Sequence, residues 1–400
     1  MTDVEETLTR TLASAAGRAP HAPGTLAHRV ESRYRRRAQR RRAVLAAAAV
    51  VVLTGSASYA LRDDNTSVVP AASATQPSVP VRPTALPDPA GTVWPEAVRK
   101  LPAKLPDGRP FGVIGFLDDG TLLVTTAASF DKADAIYAYD LDAGEPRKIV
   151  DVPTPEGTVM FASGFTVGGD RVVWWTKLDD GKGQIWSASI AGGEAELVAT
   201  QQVDGGGHEG GFDGLAVAGG KIVFSLLVGG VFTVPLEGGP VEPVQGGAGM
   251  HLLSWPWIGA AGPYGPTEQP RFGTIRNVET GETDTAVTRT GEKQIACGLT
   301  ICTGQALGGE SFQRLRDGSQ QKPYPCSLGP AGAGRFCTTA VSVKDKGILG
   351  VVLHDLTTGR SADLGIQADG NRISLPQPER EMLTYTVGDE RYLIDFTKIR

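Results

Sequence analysis

Nothing in these 400 residues spells out a reaction. There is no G-x-S-x-G, no phosphate-cradling Gly-rich loop ending in Lys-Ser or Lys-Thr, and no dinucleotide fingerprint. Cysteines number only four, Cys297, Cys302, Cys326 and Cys337, and their C-x4-C and C-x10-C spacings with no nearby His are not those of a zinc site. Charge is missing altogether from Ala43 to Leu61, nineteen residues between Arg42 and Arg62. Aromatics are missing from residues 62–93, and no helical period of useful length follows that stretch. These absences leave no recognisable enzyme, cofactor or metal centre.

The uncharged run organises the chain. At about 1.5 Å per residue, nineteen helical residues just cross a hydrocarbon core of roughly 30 Å. Arg33–Arg42 (RYRRRAQRRR) precedes it, and Arg62-Asp63-Asp64 follows. The positive-inside rule therefore makes residues 1–42 a cytoplasmic tail, 43–61 a single transmembrane helix, and the rest extracytoplasmic in a cell-membrane protein. The rival is a secretory signal peptide with Val44–Leu53 as its apolar region and Ser58-Tyr59-Ala60 as cleavage site. An n-region of some 42 residues favours the uncleaved anchor, and both readings export the C-terminal part.

The tail carries ten Arg against Asp3, Glu5, Glu6 and Glu31, a charge of +6; against a total of −5, the remainder sums to −11. An acidic exterior part argues against nucleic acid as partner. The Arg33–Arg42 block suits anionic inner-leaflet lipids. Two short amphipathic patterns in the tail, Val4/Leu8/Leu12 and Leu26/Val30/Tyr34, fit either membrane-surface helices or docking on a cytoplasmic protein. Residues 62–93, with Pro70, Pro77, Pro80, Pro83, Pro87 and Pro89, read as a disordered, extended linker.

From Trp94 to the end, residues 94–400, the chain repeats. β-forming runs close on an apolar-x-x-Gly phrase: Leu141–Gly144, Ile190–Gly193, Leu236–Gly239, Val278–Gly281, Leu315–Gly318 and Leu356–Gly359, with glycines 49, 46, 42, 37 and 41 residues apart. A seventh copy, Phe396–Ile399, lacks its Gly. Asp-Gly and Gly-Gly pairs punctuate the runs as hairpin turns. Several strands at a period near 42 predict an all-β fold, a β-propeller of seven four-stranded blades; copies four and five are degenerate, which leaves six or eight blades as alternatives. The last copy ends after its third strand, and residues 93–105 are expected to supply the fourth and close the ring.

With the phrase DRVVWWTK…QIWSASIAGGE, the Arg-rich tail, the Ala/Val span and the Pro-rich stalk, the chain resembles bacterial single-pass membrane proteins whose exterior part is a TolB-like, or WD-repeat-like, β-propeller. The Gly-His and Trp-Asp signatures of true WD repeats are absent. The resemblance implies architecture and little about activity; some proteins of this build pair with an alternative sigma factor through the tail, although no zinc-type anti-sigma pattern occurs here.

Candidate chemistry is sparse. In Asp204-Gly-Gly-Gly-His208-Glu209-Gly-Gly-Phe-Asp213, the three carboxylates could gather round Ca²⁺ with His208 as a base, but the EF-hand spacing is missing and the Gly content fits a plain inter-blade loop. Asp118-Asp119 and Asp179-Asp180 read as turn residues. Trp255, Trp257 and Tyr264, in a Pro-rich insertion spanning residues 255–270, suit a saccharide or protein ligand, or packing between blades. Trp174, Trp175 and Trp186 read as core. His354-Asp355 has no matching Ser and so makes no triad. The even cysteine count in an exported region predicts disulfides. Three pairings are possible, and the short separations favour Cys297–Cys302 and Cys326–Cys337. The function that results is a membrane-anchored, non-catalytic module that binds an unknown protein or saccharide outside the cell. The alternatives are a transmembrane regulator with a cytoplasmic partner, and a propeller lyase or hydrolase.

Overall fold

The computed structural model describes residues 85–129, 132–203, 210–263, 269–326, 334–343, 347–369 and 373–400. The tail, the span, most of the linker, His208 and Tyr264 lie outside the described residues. No helix among those described is long and apolar enough to cross a membrane.

Seven antiparallel sheets follow one another along the chain as the blades of a propeller. Blade one comprises β2 (Phe111–Asp118), β3 (Thr121–Ser129), β4 (Lys132–Asp140) and β5 (Pro146–Asp151). Blade two is β6 (Thr158–Gly168), β7 (Arg171–Leu178), β8 (Lys182–Ser189) and β9 (Glu196–Gln202). Blade three is β10 (Phe212–Ala218), β11 (Lys221–Leu226), β12 (Val231–Pro235) and β13 (Glu242–Pro243). Blade four is β14 (His251–Ser254), β15 (Trp257–Ala260), β16 (Thr274–Asn277) and β17 (Thr283–Thr285). Blade five is β18 (Lys293–Cys297), β19 (Ile301–Gln305), β20 (Ser311–Leu315) and β21 (Lys322–Pro323). Blade six holds β22 (Phe336–Val343), β23 (Gly347–Asp355) and β24 (Ser361–Asp363). Blade seven holds β25 (Met382–Val387), β26 (Glu390–Asp395) and, from the start of the domain, β1 (Val98–Leu101).

The ring closes as the sequence predicts. Strand β1 pairs antiparallel with β26, Val98 opposite Ile394 and Leu101 opposite Arg391. The end of the expected linker is also part of this closure, which corrects the boundary at residue 93. The Asp363 amide donates to the Asp88 carbonyl at 3.0 Å, and helix α1 (Ala90–Val93) follows. Ala90 and Trp94 are buried with Phe336, Val351, Leu353 and Ile394. A Pro-rich composition did not prevent folding here because the few apolar residues find a ready-made edge.

The repeated phrase has a physical cause. In each copy the amide after the third strand donates to the carbonyl ahead of the second: Leu141 to Gly120 (2.8 Å), Ile190 to Asp170 (2.8 Å), Leu236 to Gly220 (2.9 Å), Leu356 to Arg335 (2.9 Å) and Phe396 to Glu381 (2.8 Å). Gly144 (φ 71°) and Gly359 (φ 74°) then turn the chain in the left-handed region that a side chain would disfavour. Blade five is one residue out of step, with Arg316 rather than Leu315 bonding back, to Thr300.

Apolar clusters fill the spaces between blades six, seven, one, two and three, and Trp174 is fully buried there. Around blades four to six the filling changes character. Arg316, 4 % exposed, donates to Asp284 Oδ2 (2.6 Å) and to the carbonyls of Phe272, Gly273 and Gly298. Arg314 forks onto both oxygens of Glu292 at 2.5 and 2.6 Å, and Arg335 onto Asp355 at 2.8 and 2.6 Å. The two disulfides pair Cys297 with Cys302 and Cys326 with Cys337, as favoured from spacing, and each lies inside one of the two small cores of this region.

Candidate functional site

The first strands of successive blades, β2, β6, β10 and β14, touch one another and so face the axis. In blade seven that position holds no paired strand among the described residues. Residues 373–379 run there instead, and only Glu379 bridges to Met382, their amides and carbonyls bonding mutually at 2.9 Å. Pro376 and Pro378 fix φ near −65°, in the polyproline range rather than the strand range. The segment leans on blade six, where the Pro376 carbonyl accepts from the Thr338 hydroxyl at 2.8 Å.

Two features follow. One is a recess of about 350 Å³, within the usual range of roughly 300–1,000 Å³ for ligand pockets. Ile114 and Phe116 of β2, Phe165 and Val167 of β6, and Met382 make its apolar wall; Glu379, Arg380 and Glu381 make its lip. These three charged side chains are exposed and form no ion pair among the described residues. The other feature is an unpaired edge. The Phe396 amide bonds to the Glu381 carbonyl and the 382–379 bridge faces the axis, so Leu383, Tyr385 and Val387 point their backbone groups at β26 while Met382, Thr384 and Thr386 point theirs inward. Met382 is met by Glu379; Thr384 and Thr386 meet no backbone partner among the described residues.

The residues singled out from sequence do not gather in one place. Trp255 sits in the turn between β14 and β15 and packs on Val223, Val231 and Ile258. Trp257 opens β15 opposite Asn277. The insertion proper is therefore residues 261–273, joining β15 to β16 at the other end of the blade from Trp255. Asp118 accepts from the Gly120 amide at 2.9 Å and Asp180 from the Lys182 amide at 3.0 Å, as turn residues do. His354 is met by a serine after all: its Nδ1 lies 2.9 Å from Ser361 Oγ, because the two are register partners on β23 and β24. The adjacent Asp355 points to the other face of the strand, onto Arg335, so no triad forms.

Asp213 does find a His, one that sequence reasoning missed. Its Oδ2 is 2.5 Å from His251 Nδ1 across the joint of blades three and four, and its Oδ1 accepts from Ser225 Oγ at 2.5 Å. Ser225 Oγ in turn accepts the Leu252 amide at 3.0 Å. The serine faces a carboxylate and an amide rather than the imidazole, which is the wiring of a structural tie and not of an activated nucleophile. The sequence separation of 38 between Asp213 and His251 gives a linear reading no cue. Among the described residues no group of three or more His, Cys, Asp or Glu is placed to hold a metal ion.

No family model matches the chain, and no curated protein matches it. Among solved structures it is similar to the uncharacterized protein lmo1340 from Listeria monocytogenes EGD-e, at 14 % identity over 75 % of this chain and 95 % of that one, TM-score 0.41. It is similar to BamB from Moraxella catarrhalis, at 13 % identity over 72 % and 86 %, TM-score 0.34. A putative TolB from Agrobacterium tumefaciens matches at 14 % identity over 76 % and 91 %, TM-score 0.29. Likeness at this level says nothing about activity. The fold implied by the TolB-like resemblance is met by the seven blades themselves.

Proposed function

We propose that this chain is a non-catalytic binding propeller, held outside the cell membrane by residues 43–61, whose contact surface is the axial recess between blades seven, one and two. The recess carries the reading: an apolar wall of Ile114, Phe116, Phe165, Val167 and Met382 beneath a charged lip offers burial and orientation, the two requirements of binding. The paired cysteines are in keeping with an oxidising compartment. The Arg33–Arg42 block ahead of the uncharged run supports an inward tail on anionic lipid.

A random-peptide display panned on the full-length protein tests the recess. Enriched peptides are expected to lose affinity by about 10-fold on the double charge reversal Glu379→Lys with Glu381→Lys, the size of effect typical of lip charges that steer and orient. Binders indifferent to those changes and to Phe116→Ala would place the contact surface elsewhere. Reporter fusions after residues 20 and 65 check the topology, with exterior activity expected only from the second.

A further inference from the structure

Five blades are complete four-stranded sheets, and each has its second strand paired on the axial side by a first strand. Blades six and seven both lack that first strand among the described residues, and in blade seven the gap can be placed residue by residue. The inward groups of Thr384 and Thr386, two amides and two carbonyls spaced as a strand ladder, have no backbone partner among the described residues. Thr386 is exposed and Thr384 half-buried. The residues that a regular hairpin through the Glu379–Met382 bridge would set opposite them, Gln377 and Leu375, are carried off by Pro376 and Pro378 toward Thr338 of blade six. The recess abuts the same place, bounded by Met382 on one side and by Ile114 and Phe116 of β2 on the other. In blade two the corresponding position is filled by β6, lying between β2 and β10.

We infer that the axial edge of β25 is a strand-acceptor site, at which an extended segment of a partner protein adds as the missing strand of blade seven. The inference rests on the binding-propeller reading and gives its ligand a chemical class. Four main-chain hydrogen bonds to Thr384 and Thr386 hold the segment irrespective of its sequence. Alternate side chains give selectivity, because one face of the added strand points at β2 and enters the recess. Those positions take apolar residues without proline. Glu379 and Glu381, whose exposed carboxylates form no ion pair among the described residues at the turn that leads into β25, favour a Lys or Arg at the end of the segment next to them. A free edge is an aggregation liability in the open; inside the ring it is shielded from other copies of the chain while staying reachable by a single extended strand.

The test uses full-length protein and a capped synthetic peptide, Lys-Val-Thr-Val-Thr-Val-Lys, alongside the same peptide N-methylated at alternate residues in each of the two phases. Residue-resolved hydrogen exchange is read with and without peptide. In the free protein the Thr384 and Thr386 amides are expected to exchange about 100-fold or more faster than those of Leu383 and Tyr385, which are locked to β26. The unmodified peptide should slow both threonines by about 10-fold or more, and one N-methylated phase should fail to bind while the other still does. Threonine amides already as slow as their neighbours in the free protein would overturn the proposal. So would a peptide that fails to bind at millimolar concentration, or equal binding by both methylated phases. A peptide that binds in a Glu379- and Glu381-dependent way without protecting the threonines would sink strand addition while leaving the binding recess intact.

Discussion

His354 shows how far one buried ring can influence the molecule. Its Nδ1 has Ser361, but its Nε2 is buried with no hydrogen-bond partner among the described residues. Burial lowers its pKa from 6.5 to about 4. The unfolded chain then binds a proton that the folded one refuses, so stability is complete above pH 6.5 and falls as the pH drops toward 4. The loss is at most about 3.5 kcal/mol, taking roughly 1.4 kcal/mol per pH unit. Asp355, next in sequence, behaves differently. Burial opposes its charge, yet the Arg335 fork and the Thr358 hydroxyl outweigh burial and hold its pKa below the usual carboxylate value. Its contribution is therefore lost only below about pH 4. Urea unfolding of His354→Leu across pH 2–7 should show the slope between about pH 4 and 6.5 flattened and the one below about pH 4 kept. An unchanged slope would mean that another group titrates there. None of this was visible in the dipeptide His354-Asp355, because the partner that matters comes from strand register.

At the scale of elements, the strands were legible because each blade repeats the same hydrogen-bonded ending, and a bonding pattern that recurs leaves a sequence period. Where the period weakened, the structure shows why. Blades four and five looked degenerate because their contacts are made by Arg314 and Arg316 with Glu292, Asp284 and main-chain carbonyls, which a search for apolar alternation passes over. The recess was illegible for a related reason: Pro376 and Pro378 read as loop composition, and their consequence appears only when the same position in blades one to five is seen to hold β2, β6, β10, β14 and β18. Arg316 gives a direct test. Removing it strands the Phe272, Gly273 and Gly298 carbonyls, so Arg316→Ala should cost about 3 kcal/mol, the usual penalty for breaking a buried charged network. Arg316→Lys, which keeps the charge but cannot reach four acceptors in one plane, should recover only part of it. A midpoint in urea unchanged by Arg316→Ala would show that blades four and five hold together by other means.

For the whole molecule, closure of the ring is the step on which everything else depends, and it is made by the strand expected near residues 93–105 together with residues 88–93, which looked like the end of a stalk. The chain first covers the outer edge of blade six, with Asp88 and Pro89 against Asp363, then buries Trp94, then gives blade seven its outer strand. Without residues 88–101 two neighbouring blades lose their outer cover together. Burial of Trp94 and Leu101 alone is worth about 1.5–3 kcal/mol each, a large part of a typical domain stability of roughly 5–15 kcal/mol. The exposed edge of β26 would also invite pairing between molecules. A protein starting at residue 85 should therefore unfold in one cooperative transition and run as a single species. One starting at residue 103 should unfold at lower urea concentration, in a broader transition, and aggregate. The Cys297–Cys302 and Cys326–Cys337 bonds act within blade five and between blades five and six, so they cannot substitute for this strap on blade seven. Equal unfolding midpoints for the two truncations would mean that the ring is held by its inter-blade clusters and not by β1.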